Sequence, residues 1–292
     1  MNISYNNILY KRIITETLKS LKQGDMWPLP KFVDNLQTIF ERENIHGKSN
    51  LASSDDYSMQ KEAWKAILME LVDNNAGSSL AKFGLLGIGL NVPKTGKYAH
   101  LNLSGEELSD LCSVLGLTMM SDASIAVDAF LNKNDIEDFT YNGVQYSYTL
   151  SDSSGKHVKS FIPTRANKTN KRIDYLQKIA AKKEYLLSRD EAAVHLKNIW
   201  TGLFEKQKYI IKEAGNKNRL DSSKIIVGKP SQWYYCPKCK KLTCHNIENV
   251  CPTYLCDGTL IPVTPEEMFE GNHYYELLWL PPGGQVRQGA VV

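Results

Sequence analysis

Two short cysteine pairs, Cys236-Pro-Lys-Cys239 and Cys251-Pro-Thr-Tyr-Leu-Cys256, stand eleven residues apart. Pairs at this spacing each turn two sulfurs toward one point, and two such knuckles complete a tetrahedron around Zn2+ at roughly 2.3 Å. With all four positions filled by protein, no coordination position is left for water activation, so the expected role of the metal is structural. Cys244 and His245 fall between the knuckles, and either could replace a knuckle cysteine. The proline after the first cysteine of each pair favours Cys236, Cys239, Cys251 and Cys256 as the ligands. Lys238, Lys240 and Lys241 either offset the charge of about −2 that four thiolates leave around Zn2+ or reach a phosphate.

No catalytic constellation accompanies the cysteines. A phosphate-binding G-x-x-x-x-G-K-[ST] loop is absent, because Gly47-Lys48-Ser49 has Arg42 in place of the first glycine, and Gly96-Lys97 has Asn91 upstream and Tyr98 downstream. H-E-x-x-H and G-x-S-x-G are also absent, and the six histidines are scattered. His273 and Glu276 could meet on one helical turn and read as a surface contact. A nuclease would need a carboxylate cluster that the sequence does not display. Cys112, in an apolar helix-like stretch, reads as a small buried hydrophobe.

The 292 residues suffice for about two domains of ordinary size. With 42% hydrophobic and 23% charged residues, and no apolar run near the ~20 residues that span a bilayer, a membrane protein is not expected. The first twenty residues lack the pattern of a secretory signal. A cytoplasmic location follows as the expectation, and there clustered cysteines hold metals more often than they form disulfides. The net charge of +3 hides an asymmetry: residues 156–229 hold 18 Lys and Arg against seven Asp and Glu. Such a segment beside a metal cluster points to a polyanionic partner.

The elements that must position these groups follow from periodicity. Leu9, Ile13, Ile14, Leu18 and Leu21 predict a helix within residues 1–24, ended by Met26–Lys31, and 46–58 reads as a linker. Trp64, Ile67, Leu68 and Leu71 form a buried helical stripe. Residues 81–93 predict a turn leading into a strand, and Ser104 with Glu107 opens a further helix through a capping box. Asn142-Gly143 predicts a hairpin turn, with Val144, Tyr146, Tyr148 and Leu150 sharing one strand face. In the basic segment, Ile173, Leu176 and Ile179 mark one helix. A second, opened by the capping box Ser188/Glu191, carries Ala192, Leu196, Ile199, Trp200 and Leu203. Two short strands around a Gly-Asn-Lys-Asn turn follow, as in a winged helix. Lys197, Lys206, Lys208, Lys212, Lys217, Arg219 and Lys224 are then the candidate nucleic-acid contacts, through counterion release at phosphates. The same helix-turn-wing arrangement also serves as a protein-docking module.

Arg219-Leu220-Asp221, Trp233 before CPKC, CPTYLCDGTLIPV, TPEEM and Asn272-His273-Tyr274 together resemble a region of bacterial superfamily-two DEAD/DEAH-box helicases, including relatives in anti-phage defence. Ala63–Asn74, Gly84–Leu90 and Glu106–Leu117 are more weakly similar to that family's accessory helices. The resemblance implies a zinc-containing accessory region that precedes a second RecA-like motor domain. The Walker A and DExx motifs are missing, so it implies no ATP chemistry for this chain by itself.

The expected fold class is α+β. Its segments are a helical lead and linker (1–58), a helix-rich domain with a β-hairpin (59–155), a winged-helix-like basic domain (160–229), a zinc ribbon (230–263) and a C-terminal tail (264–292). The expected function is noncatalytic binding of nucleic acid, DNA before RNA, beside a helicase motor protein or domain. The rival is a scaffold that docks a separately encoded motor.

Overall fold

The computed structural model describes residues 5–43, 56–74, 76–95, 97–127, 131, 140, 144–151, 154–163 and 169–282. They form a mixed α+β structure with three antiparallel or mixed sheets.

Helix α1 (Tyr5–Lys19) buries Ile13, Ile14 and Leu18 against α2 (Leu29–Arg42) and α3 (Asp56–Val72). Helix α1 already stops at Lys19, ahead of Met26–Lys31, so the prolines of that segment begin α2 and do not end α1. Pro28 is the N-cap residue of α2 and Pro30 lies in its first turn, where a missing N–H costs nothing. Phe32, Val33, Leu36, Ile39 and Phe40 then face the core. The predicted stripe of Trp64, Ile67, Leu68 and Leu71 is buried on α3, which begins three residues inside the segment expected as linker. The rest of that linker, and the turn at Asn142-Gly143, lie outside the described residues.

The turn after α3 feeds strand β2 (Gly87–Leu90), which packs on α4 (Gly105–Met120). Both sequence-predicted capping boxes form. Ser104 caps α4 with Glu107, and Ser188 caps α6 (Arg189–Ile199) with Glu191. Helix α5 (Lys171–Lys182) packs against α6, which continues as a π-helical stretch over Trp200–Glu205.

The sheets join segments remote in sequence. Strand β8 (Ile225–Gly228) lies antiparallel between β1 (Met26–Pro28) and β2, with Val227 opposite both Trp27 and Ile88. Strand β7 (Asn218–Asp221) pairs with β6 (Ile210–Lys212) as the expected two-strand unit. It also pairs with β3 (Ile125–Ala126) and β4 (Ser147–Thr149), and β4 in turn carries β5 (Val158–Ser160). The β6–β7 hairpin is therefore built into a five-stranded sheet and does not project as a free flap. The third sheet places β9 (Trp233–Cys236) between β10 (Lys241–Thr243) and β11 (Ile261–Val263).

One apolar cluster links described residues from Ile13 to Leu278, and a second, smaller one holds Cys236, Cys251, Cys256 and Leu260. The segment expected as a tail contributes α7 (Pro265–Met268) and α8 (His273–Leu278), which place Tyr275 and Leu278 in the larger cluster. Arg12 Nε and Lys19 Nζ on α1 donate to the carbonyls of Leu280 (3.1 Å) and Trp279 (3.0 Å). Residues 283–292 lie outside the described set. No helix among the described residues is long and apolar enough to cross a membrane.

Candidate metal centre

The four knuckle cysteines converge, with sulfurs that all lie within 4.8 Å of one another. Cys236 Sγ is 3.7 Å from Cys256 Sγ, and Cys239 Sγ is 3.5 Å from Cys251 Sγ. A tetrahedron with metal–sulfur bonds of about 2.3 Å separates its sulfurs by about 3.8 Å, whereas a disulfide needs about 2 Å. The cluster fits a cation. Among the described residues, no other group of three or more His, Cys, Asp or Glu donors comes together in this way.

Local backbone geometry builds each knuckle. Cys236 ends β9, and Lys240 N donates to Cys236 O at 2.8 Å, turning the chain into β10 with Lys240 at φ 57°. In the second knuckle Cys256 N donates to Thr253 O at 3.1 Å. Gly258 follows at close quarters, since a Cβ there would collide with Cys236 Sγ and lie 3.3 Å from Cys256 Sγ. Only a residue without a side chain lets the strand toward β11 pass the cluster.

The sulfurs share protons unevenly. Burial raises the Cys239 thiol, but Thr253 Oγ1 at 3.4 Å and the neighbouring sulfurs outweigh it and bring it down to about 7. Burial dominates at Cys251 and pushes it up to about 12. A cation replaces those protons in any thiolate site. Lys238, one of the three lysines around the first knuckle, pairs with Asp257 across the exposed side of the site.

Two polar clamps fix the cluster to the body. On α5, Lys178 Nζ donates to Thr253 O (2.9 Å) and Cys256 O (3.0 Å) and pairs with Asp174. Asp174 Oδ2 in turn accepts from Leu255 N at 3.2 Å. The second clamp is His245, which is buried away from the sulfurs. Its Nδ1 is 2.9 Å from Asp110 Oδ1 on α4, and its Nε2 is 2.7 Å from Ile88 O on β2. Both partners are acceptors, so the ring satisfies them only as the imidazolium. Burial opposes that charge, but the Cys244 sulfur, 3.7 Å from Nε2, and the Asp110 carboxylate overcome it and hold His245 well above its ordinary value. Gly89 makes room for this ring, as a Cβ there would sit 3.2 Å from His245 Cε1. Neither Cys244 nor His245 joins the four sulfurs. Cys112 is fully buried on α4, with its thiol pushed up to about 12 by burial.

The seven candidate phosphate contacts spread from α6 through the turn after its π-helical stretch and the β6–β7 hairpin to the 3-10 turn before β8. Lys197, Lys206, Lys208 and Lys212 are exposed, while Lys217, Arg219 and Lys224 are half-buried. Arg219 is engaged within the fold, donating through Nη1 to Gln145 Oε1 at 3.1 Å and pairing with Glu213 at 3.3 Å. Lys224 lies 5.8 Å over the Tyr209 ring. His273 and Glu276 meet on the surface at 3.4 Å, and Asn272 caps α8 by accepting from Tyr275 N.

No family model, curated protein or solved structure matches the chain.

Sequence reasoning missed Asp110, Asp174, Lys178, Thr253 and Gly258. For Gly258 a signal existed, because Asp257-Gly258 directly after a knuckle is a turn dipeptide. For Asp110, Asp174 and Lys178 there was none, since on their own helices they read as ordinary solvated charges.

Proposed function

We propose that this chain is a noncatalytic nucleic-acid-binding accessory module, stabilised by structural zinc, that works beside a helicase-type motor. The observation that carries the structural role of the metal is the closed set of four cysteine sulfurs, which leaves a tetrahedral cation no position for substrate or water. Four thiolates suit zinc before the harder cations, and β9, β10 and β11 around them support the zinc-ribbon reading. The helix pair α5–α6 followed by the β6–β7 hairpin supports a winged-helix-like surface, on which Lys197, Lys206, Lys208 and Lys212 are exposed to phosphates.

Fluorescence anisotropy with a labelled forked DNA, titrated across salt, tests the reading. Affinity is expected to fall steeply with salt and to be lost when Lys197, Lys206, Lys208 and Lys212 are changed to Glu. Undiminished binding by that variant removes this face as the contact.

A second reading has its own support. Leu186 is 96% exposed in the α5–α6 turn, with Val194 on α6 and Ile211 on β6 also exposed among the lysines. Apolar side chains there favour a protein partner, such as a separately encoded motor. Co-purification of that partner with no DNA shift at low salt would select this reading.

A further inference from the structure

Between the cysteine-bearing sheet and α4 lies a cavity of about 340 Å3, within the size range of small-molecule sites. Leu86, Ile88, Val114, Leu117, Leu242 and Leu260 give it apolar walls. Its polar lining includes Lys171, Lys241, Thr118, Cys244 and His245.

Among the described residues, little countercharge reaches Lys171. Of those residues, Lys171 Nζ reaches only Thr118 O, at a long 3.4 Å. Its charged neighbours among the described residues include the cations Arg172, Lys159 and Lys241 and the carboxylate of Asp122. That carboxylate is already shared between Lys159 at 2.7 Å and the Tyr148 hydroxyl. Arg172 is buried behind Thr118, to which its Nε donates at 2.7 Å, and its Nη2 has no hydrogen-bond partner. Burial and then the neighbouring cations bring the Lys171 ammonium down to about 8, outweighing Asp122. His245 adds no net charge, because Asp110 neutralises it.

We propose that this cavity binds a small amphiphilic anion, with an apolar body against Leu86 and Leu117 and a carboxylate or phosphate head on Lys171. An anion supplies the countercharge that the protein withholds from Lys171, while the walls reward an apolar body by burial. The site is independent of the nucleic-acid reading, because none of the seven basic residues assigned to that contact lines it.

Calorimetric titration of the full, zinc-loaded chain tests the site. The probes are 1-naphthoate, 1-naphthyl phosphate and the neutral 1-naphthalenemethanol. The two anions are expected to bind more tightly than the alcohol, and their relative affinities tell carboxylate from phosphate heads. Lys171→Met should weaken the anions at least tenfold and leave the alcohol within twofold, with Lys171→Arg restoring the anions. Affinity of the wild type for naphthoate should drop as pH rises past 8, where Lys171 loses its proton. Leu117→Trp, or Leu117→Phe where the larger residue unfolds the chain, should exclude all three. Bound naphthoate should also slow alkylation of Cys244 by iodoacetamide. The proposal is overturned if neither anion binds up to its solubility. It is equally overturned if Lys171→Met, with unchanged metal content and urea midpoint, binds naphthoate as tightly as the wild type.

Discussion

His245 Nδ1 lies 2.9 Å from Asp110 Oδ1, so the loop between the two cysteine knuckles is tied to helix α4 by a partly buried charge pair. Removing one partner leaves the other desolvated. His245→Gln should cost about 2 kcal/mol, below the ~3–5 kcal/mol of a fully buried pair because Asp110 retains some solvent contact. Urea denaturation of the zinc-loaded protein measures it. Asp110→Asn and the double variant should show clearly less than additive losses, and strict additivity would sever the pair.

The same pair sets a pH dependence. The folded value of His245 is raised above the ~6.5 of an unfolded histidine, so its stabilisation is fully present below about 6.5. It is lost as pH rises through the raised folded value. The stability gap between wild type and His245→Gln should therefore be widest in mild acid and shrink in alkali. A gap that stays constant from pH 6 to 10 speaks against a charged His245.

Cys236→Ser or Cys256→Ser should abolish stoichiometric zinc, measured by atomic emission, and destabilise the β9–β10–β11 sheet, since metal binding and folding of such sites are linked. Cys244→Ser should keep the metal. Equal metal loss in all three variants would place Cys244 among the ligands.

Gly258→Ala should push a methyl group into Cys236 Sγ and lower zinc affinity at least tenfold in a chelator competition. Gly202→Ala is the control, because a Cβ there meets nothing within 4 Å. Wild-type affinity in Gly258→Ala would show that the chain relaxes around the cluster.

Native zinc-loaded protein treated with an aromatic disulfide should show one reactive thiol, the half-buried Cys244. Cys112 is buried with its thiol raised to about 12, and the remaining four are held at the cluster. All six should react in denaturant with chelator. A second fast thiol in the native state would mean the metal cluster is open.

What the sequence alone determined was local. The capping boxes Ser104/Glu107 and Ser188/Glu191 span four residues each, and each knuckle closes within six. The buried stripes of α3 and α6 repeat every turn. Patterns of this range are written in neighbouring residues, so the four convergent sulfurs were legible before any coordinates. Tertiary structure decided what those parts meet. Strand β8 sits between β1 and β2, whose residues lie more than 130 positions away, and no local signal encodes such a pairing. Arg219 looked like one cation of a wing, yet packing places it beside Gln145 and Glu213 inside a larger sheet. His245 looked like a spare ligand, and the approach of α4 and β2 turned it into a clamp. In each case the residue type sets which partners are chemically acceptable, while the distant elements that close around it fix which partner is within reach.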